Sequence, residues 1–187
     1  MTSLSLSHDW MEFVCQSEFI SGISPFGEWS PTWSHKTKRY VEIATIISKG
    51  GRYADPRFLN GMIVGKPEKY LSLLRTGTDG NLRGIIPDGK DVLRLLDALV
   101  VRVEAFIDEG GTQTSKVSED FAWNMHDELM CIHPFRSGNG RTARLMLNQI
   151  RMLCGLHVHV IKYAESTHYF QRLTEYRDRI FLPSLRK

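Results

Sequence analysis

The sequence predicts a mainly α-helical domain with one small β-hairpin. Three observations carry that expectation. Apolar residues recur at three- and four-residue steps through most of the chain. Glycines punctuate the ends of those runs, as helix stops do. Between residues 52 and 90 a stretch rich in Gly, Pro, Asn and Asp interrupts the helical pattern.

The first run, Trp10, Phe13, Val14, Ser17 and Ile20, predicts a short helix that stops near Gly22. Pro25, Gly27, Ser30 and Pro31 then mark a loop. A second helix is expected over 37–47, with Val41, Ala44 and Ile47 inside and Gly50-Gly51 closing it. The 52–90 stretch reads as loop plus hairpin, with Asp79-Gly80-Asn81 turning between Leu73-Leu74 and Ile85-Ile86. From Asp91, Val92, Leu95, Leu96, Leu99, Val103 and Phe106 follow one helical face up to Gly110-Gly111. Ser118, followed by Glu119 and Asp120, reads as the next helix start, and Ala122, Met125, Leu129 and Ile132 carry its apolar face to His133-Pro134. After Gly140 a further helix turns Ala143, Met146, Leu147, Ile150 and Cys154 inward, with Gly155 as its stop. The last helix, near 164–181, puts Tyr169, Leu173, Tyr176 and Ile180 on one side.

A chain of 187 residues suits one domain with a short appendage. Its 42% hydrophobic and 24% charged content is that of a soluble globular protein, not a disordered or fibrous one. The formal net charge of +3, from 24 basic and 21 acidic residues, is too small for a dedicated nucleic-acid binder. Cys15, Cys131 and Cys154 are odd in number and lie far apart, which favours free thiols and a reducing compartment. The N-terminus has no basic region followed by an apolar run, and no stretch reaches the roughly 18 apolar residues a membrane span needs. A cytoplasmic protein without a membrane partner is therefore expected.

Chemistry concentrates in His133-Pro134-Phe135-Arg136-Ser137-Gly138-Asn139-Gly140-Arg141-Thr142-Ala143-Arg144. Glycines on both sides of Asn139 allow backbone N–H groups to converge, and the helix that follows adds its positive dipole end. A lone Gly-Asn-Gly is more often a plain turn. Two arginines just behind it argue otherwise, because cations at a helix N-terminus oppose the macrodipole and call for an anion. Arg141 and Arg144, three apart, can reach one phosphate chain. His133, at the end of the preceding helix, is either a general base or a residue capping its own helix. Phe135 reads as a core plug. The same glycines fit G-x-G-x-x-A, but without the strand a dinucleotide fold requires. No Walker A spacing is present. His126, Cys131 and His133 lack a fourth zinc ligand at suitable spacing, and core or capping roles are favoured. His157-Val158-His159 reads as an alternating loop or strand segment, and Arg172, Arg177, Arg179, Arg186 and Lys187 as a solvated basic face.

His-Pro-Phe-x-x-Gly-Asn-Gly-Arg-x-x-Arg resembles the signature of the Fic (Fido) family, whose usual form is HPFx(D/E)GN(G/K)RxxR. The resemblance extends over roughly residues 73–181. It implies a Fic-like helical core over 61–187, preceded by a helical segment over 1–60. It further implies transfer of AMP from ATP, or of a related group from another nucleotide, to a Ser, Thr or Tyr hydroxyl of a target protein. By position, His133 resembles the family's general base, and Gly138, Asn139 and Gly140 its cradle for the α- and β-phosphates. Arg141 resembles its β-phosphate ligand and Arg144 the arginine that organises the γ-phosphate. Residues 73–86 resemble the hairpin flap on which the target docks as an added strand.

Two departures stand out. Ser137 replaces the acidic residue that holds Mg²⁺ in the family, so metal use is open and no protein metal ligand is expected. Ser17-Glu18-Phe19-Ile20-Ser21-Gly22 resembles the family's inhibitory [ST]-x-x-x-E-[GN] motif, with Ser21 in place of the glutamate; an ordinary helix end is an equal reading. Ser17, Ser21 and Gly22 are accordingly candidate regulatory positions. The resemblance leaves three activities open: nucleotidyl transfer, a nucleotide- or protein-binding pseudoenzyme, and removal of AMP or use of another phosphate donor. It also leaves open a homodimer, the target, and delivery into another cell.

Overall fold

The computed structural model describes residues 6–21, 35–77, 86–109 and 114–185. Seven helices of nine or more residues form among them: α1 (His8–Ile20), α2 (His35–Ser48), α3 (Pro56–Val64), α4 (Gly89–Asp108), α5 (Ser115–Ile132), α6 (Asn139–Leu153) and α7 (Ser166–Tyr176). Short helical turns occupy Pro67–Leu73 and Tyr163–Glu165, and a π turn over Arg177–Phe181 continues α7.

Helix α6 lies at the centre, where its two faces join two apolar clusters. Leu145 packs with Phe13, Val14, Tyr40, Ile43, Ala44, Leu59 and Ile63 of α1–α3. Ala143, Met146, Leu147 and Ile150 pack on the other side with the inner faces of α4, α5 and α7. A helix buried all round must also satisfy its polar side chains inside the protein. Asn148 does so with both backbone groups of His159, donating to its carbonyl at 3.0 Å and accepting from its N–H at 2.6 Å. Arg151 donates to the His157 carbonyl at 2.9 Å and pairs with Glu119. The 157–159 segment is therefore held by side chains of α6 and pairs with no strand.

Helix α3 falls inside the stretch expected to be loop and hairpin. Its local chemistry is sound. Asp55 caps it by accepting from the Arg57 N–H at 2.7 Å, and Pro56 takes the first turn, where its missing N–H costs nothing. Gly65 ends it in the left-handed region at φ 76°. Position 60, where the N-terminal segment was expected to end, lies within this helix. Helix α5 begins one turn before Ser118, because Thr114 supplies the cap by accepting from the Val117 N–H. Ile180, expected inside, is 53% exposed, since the π turn shifts the helical register after Arg177. The stops expected at Gly22 and Gly110-Gly111 lie outside the described residues.

The expected β-hairpin is not seen: among the described residues there is no strand. Leu74 instead forms an isolated antiparallel bridge with Phe135, through Arg75 N–H to the Pro134 carbonyl (2.9 Å) and Arg136 N–H to the Leu73 carbonyl (3.1 Å). The turn residues Asp79-Gly80-Asn81, and Ile85, lie outside the described residues. Arg75 fastens this corner. Its buried guanidinium donates to the carbonyls of His133 (2.8 Å), Ile132 (3.0 Å), Pro87 (2.6 Å) and Gly77 (3.0 Å). A cation at the last carbonyls of α5 also complements the helix dipole.

A second buried network joins α5 to α7. His126 Nδ1 lies 2.8 Å from Asp127 Oδ1, Asp127 Oδ2 accepts from Arg172 at 2.9 Å, and His126 Nε2 lies 3.2 Å from the Tyr169 hydroxyl. Burial holds the His126 pKa below its ordinary value, against the pull of Asp127.

Two outcomes follow from these networks. Replacing Arg75 with Leu leaves buried carbonyls unpaired and should lower unfolding stability by about 2–4 kcal/mol in urea titrations. An unchanged urea midpoint would contradict this account of the corner. For His126, the unfolded chain takes up a proton as pH falls through about 6.5 while the folded chain resists it, so stability should decline below that pH by up to about 1.4 kcal/mol per pH unit. His159, whose pKa burial also lowers, acts in the same direction. His126→Gln should flatten the decline in urea midpoints recorded from about pH 7 to pH 5.

Candidate active site

The α5–α6 turn is built to hold one shape. His133 closes α5 in the left-handed region (φ 48°, ψ 55°), its N–H donating to the Leu129 carbonyl at 3.0 Å. A non-glycine residue there is uncommon and carries strain that its surroundings must hold. Pro134 cannot extend the helix, and Phe135 is 1% exposed, plugged into the core as its type implied. Asn139 locks the loop: its Oδ1 accepts from the Phe135 N–H at 2.9 Å, and its Nδ2 donates to the Phe135 carbonyl at 2.7 Å. The Asn139 side chain is thereby engaged within the loop. Gly138 caps α6 at φ 84°, and a Cβ there would stand 2.8 Å from Asn60 Nδ2. The first N–H groups of α6 have no partner within the helix and form a ready cradle for an anion.

Both arginines behind the turn are buried, and α1 reaches both. Arg144 Nε donates to Ser17 Oγ at 2.8 Å, and its other nitrogens donate to the Ser17 carbonyl (2.8 Å), Ser21 Oγ (2.6 Å) and the Tyr169 hydroxyl (3.5 Å). Its guanidinium is 2% exposed, yet among the described residues no carboxylate lies within 4.0 Å of it. Arg141 is treated differently: Glu18, fully buried on α1, sits 3.5 Å from it. Tyr40 braces the pair, its hydroxyl 2.8 Å from Ser17 Oγ and donating to the Arg141 carbonyl at 3.4 Å. Burial pushes the Tyr40 and Tyr169 phenols above their ordinary pKa range, so both remain hydroxyls at neutral pH.

A cavity of about 390 Å³ opens on this group. His133, Ser137, Gly138, Asn139, Gly140, Arg141 and Arg144 line it, with Ser21 of α1 and Phe170 of α7 at its edges. The sequence-named residues thus meet around one space, except Ser17, which is buried behind it against Arg144, and Gly22, which lies outside the described residues. Ser137 contributes a neutral hydroxyl, a poor ligand for a hard cation. Glu18 lines no wall of the cavity, and no three His, Cys, Asp or Glu side chains gather into a metal site among the described residues. The donor set does not fit a protein-held Mg²⁺.

Sequence reasoning missed Asn60. Fully buried on α3, it donates to the Ser137 carbonyl at 2.9 Å and to Thr142 Oγ1 at 3.1 Å, pinning the turn from below. An asparagine within a stretch read as loop carries no periodic signal that would single it out. Glu18 lies within the Ser17–Gly22 motif. Its pairing with Arg141 depends on how α1 docks, which spacing does not encode.

Comparison with known proteins places this geometry. The model of the Fic/DOC family matches residues 44–151. A protein adenylyltransferase Fic of Nematostella vectensis is 41% identical over 56 residues, covering 30% of this chain and 13% of its own. That of Drosophila melanogaster is 33% identical over 90 residues, covering 48% and 18%. The chain therefore spans less than a fifth of either relative. A crystal structure of a Fic domain containing signaling protein from Bacteroides thetaiotaomicron superimposes with a TM-score of 0.63 at 22% identity, covering 89% of this chain and 70% of that one. A Caenorhabditis elegans Fic-1 segment gives 0.64 at 20% identity, covering 97% and 62%. These two likenesses concern the fold. With the family match spanning 44–151 of 187 residues, around the turn and the two arginines just described, the chain belongs to the Fic/DOC family.

Proposed function

We propose that this chain transfers a nucleotidyl group, AMP or a close relative, from a nucleoside triphosphate to a hydroxyl side chain of a target protein. One observation carries the reading: Arg144 is a buried cation held by neutral oxygens alone, on the wall of a cavity that also holds His133 and the α6 N-terminus. A buried charge without a counter-ion costs several kcal/mol, and an anionic ligand offsets that cost. The adenylyltransferase names of the relatives support a nucleotide as that ligand.

In this reading the target hydroxyl approaches His133, whose imidazole takes its proton. The hydroxyl oxygen bonds to the α-phosphorus, the bond from that phosphorus to the bridging oxygen breaks, and pyrophosphate leaves with the electron pair. The N–H groups opening α6 and the two arginines balance charge on the phosphates as it shifts. The nucleotide competes with α1 for both arginines, displacing Ser21 from Arg144 and Glu18 from Arg141. The target segment docks beside Leu74, which the bridge to Phe135 ties to the α5–α6 turn. Because Ser137 supplies no carboxylate, a second reading stands beside this one: a pseudoenzyme that binds nucleotide without turnover.

With α-labelled nucleoside triphosphates and host lysate, His133→Ala should lose about 10²–10⁴-fold of the transfer rate. Equal labelling by wild type and variant would overturn the role of His133. Absent labelling with nucleotide binding retained, and labelling gained in Ser137→Asp with Mg²⁺, would favour the pseudoenzyme. Ser21→Glu places a carboxylate at Arg144 and should weaken triphosphate affinity at least about tenfold, since the new ion pair must break before the ligand enters. Calorimetric titration checks this, and undiminished affinity would argue against competition by α1.

A further inference from the structure

A second, larger cavity lies on the other side of the catalytic turn. Its volume is about 610 Å³, and Arg39, Asn60, Ile63, Val64, Lys66, Leu73, Arg136, Ser137 and Arg141 line it. Four of these are cations and none is an acid. It shares Arg136, Ser137 and Arg141 with the cavity described above, so the two spaces meet at the position where a metal-holding carboxylate would stand.

The cationic wall is positioned by the fold. Gly65 ends α3 at φ 76°, and the Arg39 guanidinium occupies the space its Cβ would fill. The same turn sends the Lys66 N–H back to the Gly61 carbonyl at 2.8 Å, which seats Lys66 beside Arg39. Arg136 is anchored through its backbone N–H to the Leu73 carbonyl at 3.1 Å. Among the described residues, no carboxylate lies within 4.0 Å of Arg39, Lys66 or Arg136, and Arg141 meets Glu18 alone. Asn60 Oδ1, buried in the same wall, has no hydrogen-bond partner. Ile63, Val64 and Leu73 provide an apolar floor, which strengthens charge interactions above it.

We propose that this cavity receives the pyrophosphate after its bond to the α-phosphorus has broken and it leaves the Arg144 side, and that Arg39, Lys66 and Arg136, together with Arg141, balance the charge of the departing product in place of a divalent metal. The inference rests on the transferase reading. Transfer creates a leaving pyrophosphate of several negative charges, and Ser137 leaves the turn without a metal ligand to neutralise it. Helix α1 closes the Arg144 side with Ser17 and Ser21, while Arg141 faces both spaces and connects them. An acidic segment of the target is the competing occupant; it would use the rim at Leu73 and need neither Ser137 nor Arg141.

The test is calorimetric titration of inorganic pyrophosphate into the full chain in the presence of EDTA. Wild type should bind without a divalent cation. Arg39→Met/Lys66→Met should bind at least about tenfold more weakly, Lys66→Arg should retain affinity because its charge is kept, and Lys38→Met, outside the cavity, should match wild type. Circular dichroism melts establish that the variants are folded. Binding that requires Mg²⁺, or that ignores Arg39 and Lys66, would overturn the proposal. So would an acidic peptide that binds in an Arg39- and Lys66-dependent manner without being displaced by pyrophosphate. Because the readout is binding, its failure is separable from that of the transferase reading. Metal-free pyrophosphate binding without any transfer would overturn only the latter.

Discussion

The Arg144 guanidinium is the point on which three parts of the molecule converge. Helix α6 carries it, α1 wraps it with the Ser17 backbone and two serine hydroxyls, and α7 brings Tyr169 to its remaining face. Behind Tyr169 the contacts continue through His126 and Asp127 to Arg172, which stacks over Trp123. Neutral oxygens satisfy the directional demands of a guanidinium but leave its charge uncompensated. The core thus stores an unbalanced positive charge at the wall of a cavity. An anion placed there would offset it.

The turn between α5 and α6 forms the facing wall of the same cavity. Its shape is fixed from inside by Asn139, from below by Asn60 and from the side by Arg75, so few of its backbone groups are left to adapt when a ligand arrives. A preorganised cradle of this kind spends little free energy on rearrangement at the moment of reaction. Ser137 sits exposed on this turn, held through its carbonyl by Asn60.

Helix α1 takes a double part in this arrangement. It buries Trp10, Phe13 and Val14 against α2 and α6, and it lays its C-terminal turn on the arginines. Because Glu18 and Ser21 are three residues apart, one helical turn addresses Arg141 with a carboxylate and Arg144 with a hydroxyl. The carboxylate of this turn pairs with Arg141, and Arg144 receives neutral oxygens. A ligand entering the cavity meets a weak latch at Arg144 and a charged one at Arg141.

Most helices were legible in the sequence because their apolar spacing is long and regular, and burial of one face is what selects a helix of that kind. The twelve residues from His133 to Arg144 were legible because glycines, a histidine and two arginines in that order have few other uses. Helix α3 was not legible: nine residues with an internal glycine and a leading proline carry too short a period, and the cap at Asp55 and the left-handed stop at Gly65 decide it. The hairpin expected over 73–86 was drawn from turn residues alone, whereas the structure pairs Leu74 with Phe135, a partner sixty-one positions away in the chain. By itself, then, the sequence determined the helical class and the family, and singled out the turn between α5 and α6. Which arginine is paired and which is not, which side chains pin the turn, and how four cations come to line one cavity were decided only by tertiary packing. Such contacts join distant segments, and no local periodicity records them.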